Sequence, residues 1–293
     1  MSPPLVLLNF CLHAQRKFMG QAKQKLQKFI KDHPFCCFCG GSVPTHNREH
    51  APPKVLFLKG ERLDGLIFPA CERCNNGMSE NDVYASIIAL TQAYDMLTSG
   101  PRFKDYDRKI GKLIEEQKSR LKKNQLEFLN NDPVWVRTNG ILQKFPTVRL
   151  PSTAYSEYLE PWFAKQAIAL WYEHTGKVFS QQGAIGLHHY MAHERAKLRQ
   201  IIGSMPFNPS SVPITINQGS RNNADQFQYR IQLDDQRNIG VICVEIHRGL
   251  SFVALVSDLP NHNFEQNVRH IASRHAWRVS TQHGIYRTSS LRT

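Results

Sequence analysis

Two cysteine pairs, Cys36-x-x-Cys39 and Cys71-x-x-Cys74, stand 31 residues apart and constrain this chain more than any other feature. Each pair brings two sulfurs within reach of one tetrahedral ion at a single turn, and two such pairs close a four-thiolate site. Cys37 competes with Cys36 for the first position, but only Cys36 leaves the two-residue gap to Cys39. Four closed thiolates leave zinc no open position, so the expected ion is a structural Zn²⁺. The segment it staples needs it. Residues 34–77 are rich in Pro, Gly, Cys and Asn and carry only short apolar runs, so metal ligation stands in for a large core there. The other lone cysteines, Cys11 and Cys243, read as inert. An odd total of seven, five of them clustered, argues for metal rather than a disulfide framework. The spacing is specific for zinc and unspecific for function, because ribbons, treble clefs and RING-like modules share it.

Charge narrows the partner. Thirty-seven Lys and Arg against 24 Asp and Glu give a net charge of +13, which favours an anionic partner such as nucleic acid. No run approaches the ~20 apolar residues that span a bilayer. Leu5 to Leu12 is short, interrupted by Asn9 and not preceded by basic residues, the reverse of a secretory signal. A cytoplasmic protein with no membrane segment is the expectation. Met19-Gly20-Gln21 reads like a natural start, which makes residues 1–18 a candidate N-terminal extension.

Between and after the cysteine pairs lies a distinctive run: Cys36-x-x-Cys39-Gly40, then Arg48-Glu49-His50-x-Pro52-Pro53-Lys54, then Phe68-Pro69-Ala70-Cys71-x-x-Cys74-Asn75-Asn76-Gly77-x-Ser79. In type and order these motifs resemble the HNH endonuclease family, in the subgroup whose zinc-binding cysteine pairs bracket the nuclease motif. The match covers about residues 36–85, less than a fifth of the chain. It implies a treble-clef-like ββα-metal module that hydrolyses phosphodiesters. In line with the family, His50 would be the general base on the first strand, Glu49 the acidic metal ligand beside it, and Asn75 the ligand at the start of the metal-binding helix. The third helix position is open between Asn76 and Ser79. Arg48 and Lys54 are candidates for phosphate contact, and His46 for substituting for or assisting His50.

The chemistry agrees with the resemblance. Cleaving a phosphodiester needs a base for the attacking water and a cation for the scissile phosphate. A carboxylate and an amide oxygen make an oxygen-rich, incomplete site that suits Mg²⁺ or Mn²⁺. DNA is the expected substrate ahead of RNA. A homo-oligomer or a regulatory partner protein is expected, because an unrestrained cutter would harm its own cell. Proteins of this type include effectors of antiphage defence and mobile elements. The rival reading is a zinc-dependent module that binds nucleic acid or protein through a degenerate, inactive HNH site.

The remainder reads as α+β. The module is placed at residues 19–100, and residues 101–293 form a helical and antiparallel-sheet C-terminal region for substrate selection, oligomerisation or sensing. Residues 20–32 suggest a short basic helix. From Asp82, the apolar residues Val83, Ile87, Leu90, Tyr94 and Leu97 recur at helical spacing, with Ser79 and Asp82 as caps and Gly100-Pro101 as the stop. Residues 105–130 read as a charged helix, with nine Lys and Arg against four acids between Pro101 and Gln125, a pattern usual for a solvated face. Residues 152–175 suggest a strongly apolar helix closed by Gly176. A further helix is expected over 187–202, where His189 and His193 would share a face without a third ligand. His174 is expected to favour its helix end as a cation. Strands are expected at 227–233, 239–247 and 250–256, the last two joined at Arg248-Gly249, before a basic tail or surface helix.

Overall fold

A computed structural model describes residues 20–58, 61, 65–94, 102–118, 134–138, 141–145, 158–181, 183–191, 200, 213–215, 217–218, 221–234, 238–258 and 285–287. Several expectations lie outside these residues: the candidate extension with Cys11, Leu97 with the Gly100-Pro101 stop, the second half of the charged helix, His193, and most of the basic tail.

The architecture is mixed helix and antiparallel sheet. Basic helix α1 (Gln21–Asp32) leads into the cysteine segment and buries none of its residues. A two-stranded antiparallel hairpin follows, β1 (Asn47–His50) with β2 (Ile67–Ala70). Short helix α2 (Glu72–Asn76) and long helix α3 (Ser79–Tyr94) continue directly from β2. Helix α4 (Phe103–Lys118) packs on α3. Strands β3 (Val134–Thr138) and β4 (Ile141–Phe145) form a separate antiparallel pair. Helix α5 (Glu160–Thr175) then precedes β5 (Ala184–Met191). Two-residue strands β6 (Ile214–Thr215), β7 (Asn217–Gln218) and β8 (Arg221–Asn222) lead to β9 (Phe227–Asp234), β10 (Ile239–Ile246) and β11 (Leu250–Ser257). With β12 (Ile285–Arg287) they form a six-stranded antiparallel sheet of order β12-β5-β11-β10-β9-β6, from which β7 and β8 stand apart as a pair.

Helix α5 is the centre of the core. Leu159, Trp162, Phe163, Ala164, Ala167, Ile168, Ala169, Leu170 and Trp171 are all buried. From Trp162 to Trp171 the helix has no solvent face and must be covered all round. The sheet covers one side: Phe163 packs on Phe252 at 4.8 Å between ring centroids. A Cβ at Gly240 of β10 would meet Trp171 at 3.3 Å. The cysteine segment covers the other side, and its buried residues belong to the same hydrophobic cluster as the sheet's. Gly176 closes α5 in the left-handed region, φ 65°, as the sequence implies. Strand β11 lies against both α3 and α5 and is buried at all eight positions.

Two local expectations change. Residues 187–191 are strand rather than helix, because they pair with residues 250–254 of β11. His189 accordingly stacks on Phe163 instead of sharing a helix face with His193. Asp82 does not act as a cap: its carboxylate accepts from the Trp162 indole Nε1 at 2.9 Å. His174 does lie in the last turn of α5, where its Nε2 is 3.1 Å from the Tyr229 hydroxyl and partial desolvation lowers its pKa. The basic tail contributes β12 to the sheet edge.

The turn from β10 to β11 fastens the sheet to the segment after β1. His247 and Arg248 both have positive φ, 49° and 56°. At Gly249 a Cβ would lie 2.6 Å from the Gln92 backbone of α3, so only glycine permits that approach. The Leu56 carbonyl can only accept, so His247 Nε2–H donates to it at 2.8 Å, and Nδ1 accepts from the Tyr106 hydroxyl at 2.9 Å. Both ring nitrogens are used by a neutral imidazole. Burial drives its pKa from 6.5 down to about 4, with Arg102 and Lys109 nearby adding to the shift and the Leu56 bond opposing it. The unfolded chain therefore takes up this proton first as pH falls. The stabilisation is complete above pH 6.5 and is lost on descent to about 4. Between pH 7 and pH 4, wild type should lose roughly 3 kcal/mol more than His247→Gln in urea unfolding. Parallel pH profiles for the two proteins would contradict the buried neutral imidazole.

Candidate functional site

The first cysteine pair sits on a tight turn built by glycines. Gly40 and Gly41 take left-handed φ of 71° and 69° directly after Cys39, a conformation side chains resist. The turn closes with Cys36 N–H to the Val43 carbonyl at 3.0 Å and Gly41 N–H to the Cys36 carbonyl at 3.2 Å. The second pair straddles the start of α2: Cys71 precedes the helix, Cys74 lies in its first turn, and Asn75 N–H donates to the Cys71 carbonyl at 3.0 Å. The backbone draws the turns together, because Cys37 N–H donates to the Pro69 carbonyl at 3.0 Å and His46 N–H to the Ala70 carbonyl at 2.9 Å.

The result is one cluster. The sulfurs of Cys36, Cys39, Cys71 and Cys74 all lie within 4.8 Å of one another, and all four residues are buried. Cys37 is also buried but is not a member. Four sulfurs this close cannot all carry charge without a counter-ion. Hydrogen bonds from Cys36, Cys74 and Cys71 pull the Cys39 thiol down to about 2, and its bond to Cys39 pushes Cys36 up to about 12. Bonds to Cys36 and Cys39 raise Cys74 as well. A divalent cation removes that conflict and lets every sulfur ionise. The donor set thus fits a metal ion such as zinc, and among the described residues it is the one grouping of His, Cys, Asp or Glu that does.

Strand β1 has two unlike faces. Successive side chains on a strand point to opposite sides, and here Glu49 is buried while Arg48 and His50 are half-buried. His46, just before the strand, is exposed, as is Lys54 beyond it. The register pairs Glu49 with Phe68 and His50 with Ile67. The Glu49 side faces the core, where Phe68 packs edge-on against Phe38 and Tyr172. There the Glu49 carboxylate, in a residue 7% exposed, accepts from Lys165 Nζ at 2.6 Å, in a residue 2% exposed. The Lys165 ammonium also lies 5.5 Å from the centroid of the Phe38 ring. Burial raises Glu49 above the ordinary carboxylate range, against the pull of Lys165. Asp82 belongs to the same group. Burial pushes it to about 6, Lys165 opposes that, and the Glu49 charge adds to it.

This arrangement bears on the expected Glu49–Asn75 ligand pair. An Mg²⁺ or Mn²⁺ needs open oxygens and room for several waters. Glu49 offers a buried carboxylate already bonded to an ammonium, so the pair does not fit such an ion in this geometry. Asn75 is half-buried on α2, which lies against β1 and β2, and its Nδ2 donates to Asn76 Oδ1 at 3.2 Å. Asn76 and Ser79 are exposed. Cys243 is buried on β10, and desolvation pushes its thiol to about 12, consistent with an inert side chain.

Sequence reasoning missed Lys165, Asp82 and Trp162 as neighbours of the motif. A signal existed in the lone lysine of the apolar run Trp162-Phe-Ala-Lys-Gln-Ala-Ile-Ala, since a charge inside an apolar helix requires a partner. Nothing local identifies that partner as Glu49. Comparisons of the chain with protein-family models, with curated proteins and with solved structures find no match. No helix of the described residues is long and apolar enough to cross a membrane.

Replacing Cys36, Cys39, Cys71 or Cys74 by Ser should abolish stoichiometric metal binding and unfold the 34–77 segment, read by elemental analysis and hydrogen exchange. Cys37→Ala should keep its metal. Loss of metal from Cys37→Ala with retention in Cys36→Ser would reverse the assignment of the first position.

Proposed function

We propose that this chain is an HNH-type endonuclease that hydrolyses phosphodiester bonds of nucleic acid, DNA ahead of RNA, in the cytoplasm. Its treble-clef-like ββα module would be held by a structural zinc on Cys36, Cys39, Cys71 and Cys74. The observation that carries the reading is the junction of cysteine cluster and hairpin. The turn that carries Cys36 and Cys39 is hydrogen-bonded to the end of β2 through the Cys37 N–H, and the paired strand β1 turns Arg48 and His50 away from the buried Glu49. The short helix bearing Asn75 lies against both strands. Bound zinc supplies a crosslink here and no chemistry on substrate.

In this reading the His50 imidazole takes the proton from a water aligned with the phosphorus, the oxygen of that water forms the new P–O bond, and the ester oxygen departs with its bonding pair and takes a proton from solvent. Arg48 and Lys54 offset the phosphate charge during approach. The net charge of +13 draws the polyanion to the protein. Because Glu49 and Asn75 do not fit a catalytic divalent ion together, the requirement for Mg²⁺ or Mn²⁺ is a matter for direct assay.

The burial of Glu49 favours a second reading: a zinc-stapled nucleic-acid-binding module whose site is degenerate. The two differ at His50. Zinc-loaded wild type should nick supercoiled plasmid in Mg²⁺ or Mn²⁺, and His50→Ala should slow this by about 100-fold or more. Titration with EDTA reads the divalent-ion requirement in the same assay. Binding that falls steeply with salt yet survives His50→Ala, without cutting of DNA or RNA by either protein, would select the binding module.

A further inference from the structure

The Glu49–Lys165 pair joins two parts of the chain 116 positions apart. Glu49 is in the motif strand, whereas Lys165 sits in mid-α5, the helix around which the core is built. Both side chains are almost wholly enclosed, and Asp82 of α3 completes the group through its bond to Trp162 of the same helix. A buried ammonium at 2.6 Å from a buried carboxylate is a directional contact, because either charge alone would be strongly disfavoured there. It acts on a strand only four residues long. A strand that short can slip or roll, and a one-residue slip would exchange its faces. Holding Glu49 inward therefore holds Arg48 and His50 outward.

We propose that Lys165 is a positioning residue of the nuclease site, acting through Glu49, and that Glu49 serves as an internal anchor of β1 rather than as a ligand for a catalytic ion. The proposal rests on the nuclease reading. It assigns the reactive groups to the His50 face and makes α5, far outside the motif in sequence, a necessary part of the site.

The test is a mutant cycle in the full zinc-loaded chain: wild type, Glu49→Gln, Lys165→Met, and the two combined. Each is assayed for plasmid cutting well below its melting temperature, together with Mn²⁺ binding by electron paramagnetic resonance. Each single variant strands one buried partner. It should melt lower and, while folded, show kcat reduced about tenfold with KM little changed, because His50 loses its placement. The combined variant should recover both melting temperature and kcat to within about threefold of wild type, with unchanged Mn²⁺ binding. A combined variant that is folded but cuts at least as slowly as Glu49→Gln, or that loses Mn²⁺ binding, would overturn the proposal and return Glu49 to the ligand set. Full activity in folded Lys165→Met would also overturn it, by reducing the pair to a stability contact.

If the neutral pair does not fold, Glu49→Asp and the reach-compensating Glu49→Asp/Lys165→Arg decide instead. The shortened carboxylate should lower kcat and the longer guanidinium side chain should restore it; absence of rescue in folded protein counts against the anchor. Wild type that cuts neither DNA nor RNA would sink the nuclease reading and the positioning role with it. Cutting by wild type with a failed rescue sinks this inference alone.

Discussion

Up to Trp171, helix α5 has almost no side that water can wet. From Leu159 to Trp171 its apolar residues are buried, and so are the polar Glu160, Lys165 and Gln166 among them. A helix in that state is stable only when other elements cover it completely, since its burial supplies the hydrophobic stabilisation that a short isolated helix lacks. Two unlike structures meet that demand. The six-stranded sheet supplies Phe252 and Gly240 on one side, and the cysteine segment supplies Phe38, Phe68 and Glu49 on the other. The cysteine segment cannot hold itself by apolar burial, and the sheet cannot cover α5 alone. Each depends on the helix for its position.

The cysteine cluster solves a local problem within that scheme. Residues 34–77 contain two four-residue strands and a five-residue helix, too little regular structure to be cooperative alone. Bringing four sulfurs within 4.8 Å of one another closes long loops at one point. The backbone bonds from Cys37 and His46 to the end of β2 then set the hairpin beside that point. A second fastening lies beyond β1. His247 grips the Leu56 carbonyl, and Gln226 accepts from Leu58 N–H at 3.0 Å and donates to Glu61. The segment carrying the motif is thus held by sulfur on one flank and by the sheet's turns on the other, with the Glu49–Lys165 bond between them.

Much of this was legible in the sequence. The membership of the cluster follows from spacing, which separates Cys36 from Cys37 without any coordinates. Helices α1, α3 and α5 and strands β9 to β11 follow from periodicity, and the end of α5 from Gly176, because the signals are local and strong. The misreading of residues 187–191 has the opposite cause. Leu187, Tyr190 and Met191 satisfy helical spacing, and what makes them a strand is pairing with β11, which is remote in sequence.

The same division runs through the site. Residue types and their order make His50, Glu49, Asn75, Arg48 and Lys54 candidates through the motif they resemble. Where each group points is another matter. That Glu49 faces an ammonium in the core while its half-buried neighbour His50 lies on the other face of the strand was decided by the packing of α5 against β1, as were the contact of His174 with Tyr229 and the bond between Asp82 and Trp162. A sequence records which charges a chain possesses. Only the tertiary structure determines which of them lose water and must find a partner, because desolvation depends on everything that surrounds a side chain and not on the residues beside it.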